Sequence, residues 1–211
     1  MSSILQHPSL GTFHGRSEAG VVQFLGIQYA TLEDRLAEPQ LKTEYGGQID
    51  ATKVGPQTVS SPTGCKDEFR LIQQALPLEK DTFATSDCDG LHVNIAVPVG
   101  ATDLPVLVFL HGGGFRTGSN SWPQYDLART HDNMLITGIS YRVGVPGFLT
   151  SQELRDAGYK ANNGLRDQRT ALLWVKQFID GFGGNPDRVT LAGQSAGAGM
   201  PSSDFSNLLP Y

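Results

Sequence analysis

Two glycine-rich segments hold the residue types and spacings that could do chemistry. Gly193-Gln194-Ser195-Ala196-Gly197 has the form G-x-S-x-G. A serine raised on a sharp turn from strand to helix needs small neighbours, because the backbone doubles back there. Glycines two residues to either side remove the clash and let the hydroxyl stand clear of a sheet. Taken alone, the pentapeptide is more often a plain turn. The β-type run Arg188-Val189-Thr190-Leu191-Ala192 before it and the small residues after it favour the nucleophile reading. The second segment, His111-Gly112-Gly113-Gly114-Phe115, follows directly on the apolar run 106–110. Consecutive glycines let a loop aim its amides at one point, as acyl transfer requires for the oxygen that becomes an oxyanion. A flexible turn is the bland alternative and a phosphate loop the chemical rival. Gly113 and Gly118 have four residues between them, but Ser119-Asn120 stands where Lys-Ser/Thr belongs. Gly112-x-Gly114-x-x-Thr117 does not complete a dinucleotide fingerprint either. Nucleotide binding is disfavoured.

The elements that must position these segments follow from apolar periodicity. Short apolar stretches at 10–13 and 21–27 flank Gly15-Arg16-Ser17-Glu18-Ala19-Gly20 and predict a hairpin. Residues 28–62, with Pro39, Pro56, Pro62 and Gly46-Gly47, read as irregular. Phe69, Ile72, Gln73 and Leu76 repeat at helical spacing, predicting a helix over 66–76. His92-Val93-Asn94-Ile95-Ala96-Val97 alternates like a half-exposed strand, whereas 106–110 and 134–139 are continuous apolar runs expected to be covered on both faces. A short helix is expected over 125–131, and Thr150-Ser151-Gln152-Glu153 has the spacing of a capping box. The longest helix is predicted over 164–180, with Leu165, Leu172, Val175 and Ile179 on one face. Asn162 or Asn163 is its N-cap, and Gly181 and Gly183 its terminators. Strands alternating with helices imply a parallel, doubly wound sheet, and in such sheets ligands gather at the carboxyl ends of strands. Both glycine-rich segments fall at such ends.

Composition narrows the function classes. The 211 residues carry 16 Lys+Arg against 21 Asp+Glu, a formal charge of −5, which opposes a nucleic-acid coat with its basic face. With 39% apolar and 18% charged residues the chain can bury a core. No apolar run approaches the roughly 20 residues of a membrane helix. The first 21 residues lack a basic segment followed by an apolar one, and no Asn-x-Ser/Thr acceptor occurs. Those two observations favour a cytoplasmic protein over a secreted one.

The two segments together bring in a family. The chain resembles the amino-terminal part of the type-B carboxylesterases, the cholinesterase-like branch of the α/β-hydrolases. Phe24-Leu25-Gly26-Ile27-Gln28-Tyr29-Ala30 is similar to the family's F-L-G-I-P-Y-A, with Gln28 in place of Pro. Ser140-Tyr141-Arg142-Val143-Gly144 and then Gly147-Phe148-Leu149 resemble N-Y-R-L-G…G-F-L. Asn163-Gly164-Leu165-Arg166-Asp167-Gln168, Ala171-Leu172-Leu173-Trp174-Val175 and Phe182-Gly183-Gly184-Asn185-Pro186 match further family motifs, allowing one residue of spacing. The similarity runs from about residue 8 to Gly197.

This resemblance implies an α/β-hydrolase fold, a mostly parallel central sheet flanked by helices, over 1–211, with 198–211 as a divergent tail. It implies Ser195 as nucleophile and the amides of Gly113, Gly114 and Ala196 as the oxyanion hole. A small-molecule carboxylic ester is the implied partner, with neither nucleic acid nor membrane, and no metal or organic cofactor. His111 belongs to the oxyanion loop and is not the base. His7, His14, His92 and His131 match no catalytic position. Gln194 replaces the Glu often found before the serine and is expected to alter a buried hydrogen-bond network. Cys65 and Cys88 fall near the family's first disulfide pair; a bridge suits an oxidising compartment, the missing leader argues against one, and both readings stay open.

The family orders its triad as serine, then Asp or Glu, then His. Only 16 residues follow Ser195 here; Asp204 is their sole carboxylate and no His is among them. The expectation is therefore a serine ester hydrolase truncated after the nucleophile turn and inactive alone. The alternative is a non-catalytic α/β-hydrolase-like binding protein.

Overall fold

Ala19 and Gly20 both take positive φ, 50° and 83°. That two-residue geometry reverses a strand with the twist a hairpin needs, and it joins β2 (Gly11–Glu18) to β3 (Val21–Gln28). The expected hairpin is present with a tighter turn, because 15–18 continue the strand. β1 (Ser2–His7), whose residues show no strand pattern, pairs antiparallel with β2 from Ser2↔Arg16 to His7↔Gly11. These elements belong to a computed structural model that describes residues 2–61, 63–71, 84–122, 125 and 133–199.

Within 28–62 only short strands interrupt the irregular chain. β4 (Ala30–Thr31) pairs with β5 (Gln40–Leu41), and β6 (Gln48–Asp50) lies parallel to β2. β7 (Gln57–Thr58) pairs with β8 (Thr85–Ser86) on either side of α1 (Gly64–Leu71). The rest of the helix expected over 66–76 lies outside the described residues, as does all of the 125–131 segment except Tyr125.

The main sheet is completed by β9 (His92–Pro98), β10 (Leu104–Leu110), β11 (Leu135–Ile139) and β12 (Gly184–Gly193). Its order is β1–β2–β3–β9–β11–β10–β12. The sheet is mixed: β1 to β3, β9 and β11 pair antiparallel, while the parallel pairing expected from strand–helix alternation joins β11, β10 and β12. β9 is not half-exposed. All its residues but Pro98 are buried, since it lies between β3 and β11; Asn94 finds internal partners there, whereas His92 Nδ1 has none among the described residues. Asn94 Oδ1 accepts from Gly26 N at 2.8 Å, and Asn120 Nδ2 donates to the carbonyls of His92 and Gly138, both at 3.1 Å. β11 is buried throughout, whereas β10 alternates, with Val106, Val108 and Leu110 buried and Leu107 and Phe109 only half-buried.

After β11 come α2 (Gly144–Phe148), α3 (Gln152–Asp156) and α4 (Asn163–Phe178). Ser151, one residue beyond the expected Thr150, caps α3 by accepting from Leu154 N at 3.2 Å. Asn162 precedes α4 in the left-handed conformation and makes no side-chain cap bond. A 3₁₀ turn (Ile179–Phe182) extends the helix to Gly183, whose φ of 93° ends it. α4 sends Ala171, Leu172, Trp174, Val175 and Phe178 into the same core as the sheet's Phe13, Ile27, Ile95 and Leu110. No helix among the described residues is long and apolar enough to cross a membrane.

One buried ion pair ties helix to sheet. Arg142 donates from Nη2 to Asp167 Oδ1 at 2.7 Å and from Nε to Oδ2 at 2.8 Å; its backbone N–H reaches Oδ2 at 2.9 Å. Nη1 donates to the carbonyls of Arg35 and Ala37 at 2.9 and 2.8 Å. The two side chains are 2% and 0% exposed. Burial pushes the Asp167 carboxyl up, and the Arg142 fork opposes it. Replacing Asp167 alone strands a buried cation. Asp167→Asn is expected to cost about 3–5 kcal/mol in urea unfolding, against at most ~1 kcal/mol for Asp187→Asn, whose Lys176 pair is exposed.

Candidate active site

Parallel strands in register bring the two glycine-rich segments together. Leu110 of β10 is opposite Gly193 of β12, so both segments leave neighbouring strands at the same end. Gln194 N donates to Leu110 O at 3.1 Å, and Gly197 N to Gln194 O at 2.8 Å, which closes the turn into the 3₁₀ segment Ser195–Gly199. Ser195 sits at the bend with φ of 50°, exposed, above buried Ala196 and Gly197. A non-glycine residue there costs on the order of 1–3 kcal/mol and persists only where its surroundings over-determine it. They do so here by close approach. A Cβ on Gly197 would lie 2.4 Å from Leu110 O, and one on Gly193 2.4 Å from the Gly197 carbonyl. Both glycines of the motif are thus demanded by packing.

The second segment abuts the first. The Cβ position of Gly112 is 3.2 Å from Ser195 Cβ. Gly113, at φ of 115°, turns so tightly that a Cβ would meet Thr117 O at 2.1 Å; its carbonyl accepts from the amides of Arg116 and Thr117, both at 3.1 Å. The amides of Gly113 and Gly114 donate to no other described residue. A cavity of about 400 Å³ opens here, lined by Ser195, Gly113, Gly114, Arg116, Thr117 and, from the α1 region, Ser61, Gly64 and Asp67. The sequence reading missed Arg116, Thr117 and the α1 side of this cavity. No local pattern marks them, because α1 approaches from some 130 positions away in the chain.

The remaining sequence-derived candidates fall elsewhere. His111 is buried, donates from Nδ1 to Gly112 O at 2.9 Å, and stacks on Tyr141 with ring centroids 4.2 Å apart. Tyr141 in turn donates from its hydroxyl to His111 O at 2.6 Å. His111 therefore braces the loop from beneath. His7 lies against Phe178 O at 2.8 Å, and His92 is buried at the start of β9. No described histidine lines the cavity, and His131 lies outside the described residues. Gln194 does not enter a buried network: it is exposed, and its Oε1 accepts from the Tyr125 hydroxyl. Cys88 is a free, half-buried thiol; the Cys65 side chain lies outside the described residues.

A mixed sheet whose parallel strands end in a serine turn and a glycine loop is the amino-terminal part of the α/β-hydrolase fold. A solved thermophilic PNB esterase superposes with a TM-score of 0.77 at 32% identity, covering 93% of this chain and 39% of that one. The chain belongs to the carboxylesterase family, matching it over residues 2–205. It is 36% identical over 200 residues to the bile salt-activated lipase of Rattus norvegicus, covering 89% of this chain and 29% of the lipase. To the para-nitrobenzyl esterase of Bacillus subtilis (strain 168) it is 35% identical over 193 residues, covering 89% and 37% of the two chains. This chain thus spans well under half the length of these relatives.

Burial holds the His111 and His92 imidazoles neutral, pushing each down to about 4. Their unfolded value is about 6.5. The neutral forms favoured by folding thus contribute fully above about pH 6.5, and that contribution is lost as pH falls toward about 4. His111→Phe keeps a ring on Tyr141 and removes one of the two titrations. Urea midpoints at pH 7 and pH 5 should differ less in this variant than in the parent chain.

Proposed function

We propose that this chain carries the nucleophile and oxyanion half of a carboxylic ester hydrolase that works through an acyl-enzyme. The observation that carries this reading is the abutment of an exposed, positive-φ Ser195 on a loop whose Gly113 and Gly114 amides have no acceptor among the described residues. Ser195 Oγ attacks the ester carbonyl carbon and gives up its proton. The carbonyl oxygen gains the negative charge and takes hydrogen bonds from the amides of Gly113, Gly114 and Ala196. The tetrahedral species then expels the alcohol, which leaves with a proton, and water repeats the attack to release the acid and restore the serine. In the family the proton carrier is a histidine that follows the serine, held by a carboxylate, and 196–211 contain no histidine. No described histidine lines the cavity beside Ser195, so turnover by these residues alone is expected to stay at a residual level.

The direct test is labelling with a fluorophosphonate probe. A folded chain modified at Ser195, with labelling lost in Ser195→Ala, supports the reading. Because the family's base is not among these residues, a missing label decides only in the chain joined to the carboxyl-terminal part of a para-nitrobenzyl esterase, where a folded protein that takes no label points to the non-catalytic binding protein. When the chain is joined to the carboxyl-terminal part of a para-nitrobenzyl esterase, Ser195→Ala should abolish hydrolysis of p-nitrophenyl acetate. Gly113→Val in the same background should lower kcat by on the order of 10²–10³, since the new side chain displaces the loop from Thr117.

A further inference from the structure

The cavity in front of Ser195 contains a cation with no partner among the described residues. In a chain of net charge −5, Arg35, Arg70, Arg142, Arg166 and Arg188 each face a carboxylate. Arg116 faces none: its guanidinium makes no hydrogen bond or ion pair with any described residue, yet it lines the same cavity as Ser195. Its backbone is not free to drift. Arg116 N is held to Gly113 O at 3.1 Å, three residues along from the glycine whose amide faces the reacting oxygen in the reading above. The other charged group of the cavity, Asp67, is already engaged. Its Oδ2 accepts from the Thr63 hydroxyl at 2.6 Å and its Oδ1 lies 3.8 Å from Arg70 Nη1. Arg116 is therefore the charged group of the cavity that faces no opposite charge among the described residues, and it presents a planar fork that fits a carboxylate through two parallel hydrogen bonds.

We infer that Arg116 makes this cavity select esters that carry a carboxylate on the acyl or alcohol side of the scissile bond. The inference rests on the proposed esterase reading for the word ester, but the anion selectivity stands on the cavity alone. Arg116 is exposed, so solvent limits the gain. A roughly tenfold preference for the anion over a neutral isostere is the expected scale for one charge-assisted contact.

The test is equilibrium binding, which needs no working base. Titrate the full chain with 4-hydroxybenzoate and with 4-hydroxybenzamide, a pair of similar shape that differs in charge, at low and high salt. The expected result is tighter binding of the benzoate by about tenfold, weakened by salt, abolished in Arg116→Gln and partly retained in Arg116→Lys. Thermal melting should be unchanged in both variants, because Arg116 supports no packing. Equal binding of the two probes, binding of neither, or a preference that survives in Arg116→Gln overturns the inference. Ser195 labelling without anion preference sinks this inference and leaves the hydrolase reading standing. Anion preference without Ser195 labelling in the joined chain does the reverse.

Discussion

The Arg142–Asp167 pair holds the segment leaving β11, the first turns of α4 and the loop around 35–37 in one arrangement. Arg142 sits on the segment leaving β11, its Nε and Nη2 grip Asp167 of α4 and its Nη1 grips the carbonyls of Arg35 and Ala37, so none can shift without leaving a charge in a dry interior. Such a pair adds little net stability over a well-packed apolar substitute. Its effect is positional. Tyr141, directly before Arg142, is thereby fixed under His111, and His111 under the glycine loop. The loop's geometry is thus inherited from an ion pair that never touches the cavity.

The serine turn is held by a different means. Among the described residues no side-chain hydrogen bond fixes Ser195 in its positive-φ conformation; crowding of backbone on backbone does, between Gly193, Gly197 and the end of β10. Crowding is stiff but unforgiving. Every atom added at those glycines must displace main chain, whereas Gly114, with open space around its Cβ position, has only its φ of 59° to defend.

Both chemical motifs could be read directly because their requirements are local: small residues at fixed offsets beside one reactive group. Elements whose identity depends on distant partners were harder to read. The alternation of His92 to Val97 suggests a wet face, yet Asn94 is dry and satisfied by Gly26 and Asn120, which no pattern within β9 announces. β1 acquires its strand character from β2 alone. The resemblance expects Gln194 to alter a buried hydrogen-bond network, and among the described residues it lies at the surface beside Tyr125. The sequence offers Asn162 or Asn163 as the N-cap of α4, and Asn162 takes that place as a left-handed backbone turn with no side-chain cap bond. The cavity's α1 wall and Arg116 were invisible for the same reason: proximity to Ser195 is a property of the fold and not of any short stretch of sequence.

The register of β10 on β12 also has a kinetic side. Leu110 and Gly193 meet across a loop of about 80 residues, and closing such a loop costs entropy before any contact rewards it. The crowding around Gly197 depends on that contact, since its close approaches are to Leu110 and His111, whereas Gly193 crowds Gly197 and Ala198 within the turn. A chain in which β1 to β9 have paired without β10 and β12 still lacks the crowding of Gly197 on the end of β10. The packed serine turn thus comes into being with the sheet's longest-range parallel ladder.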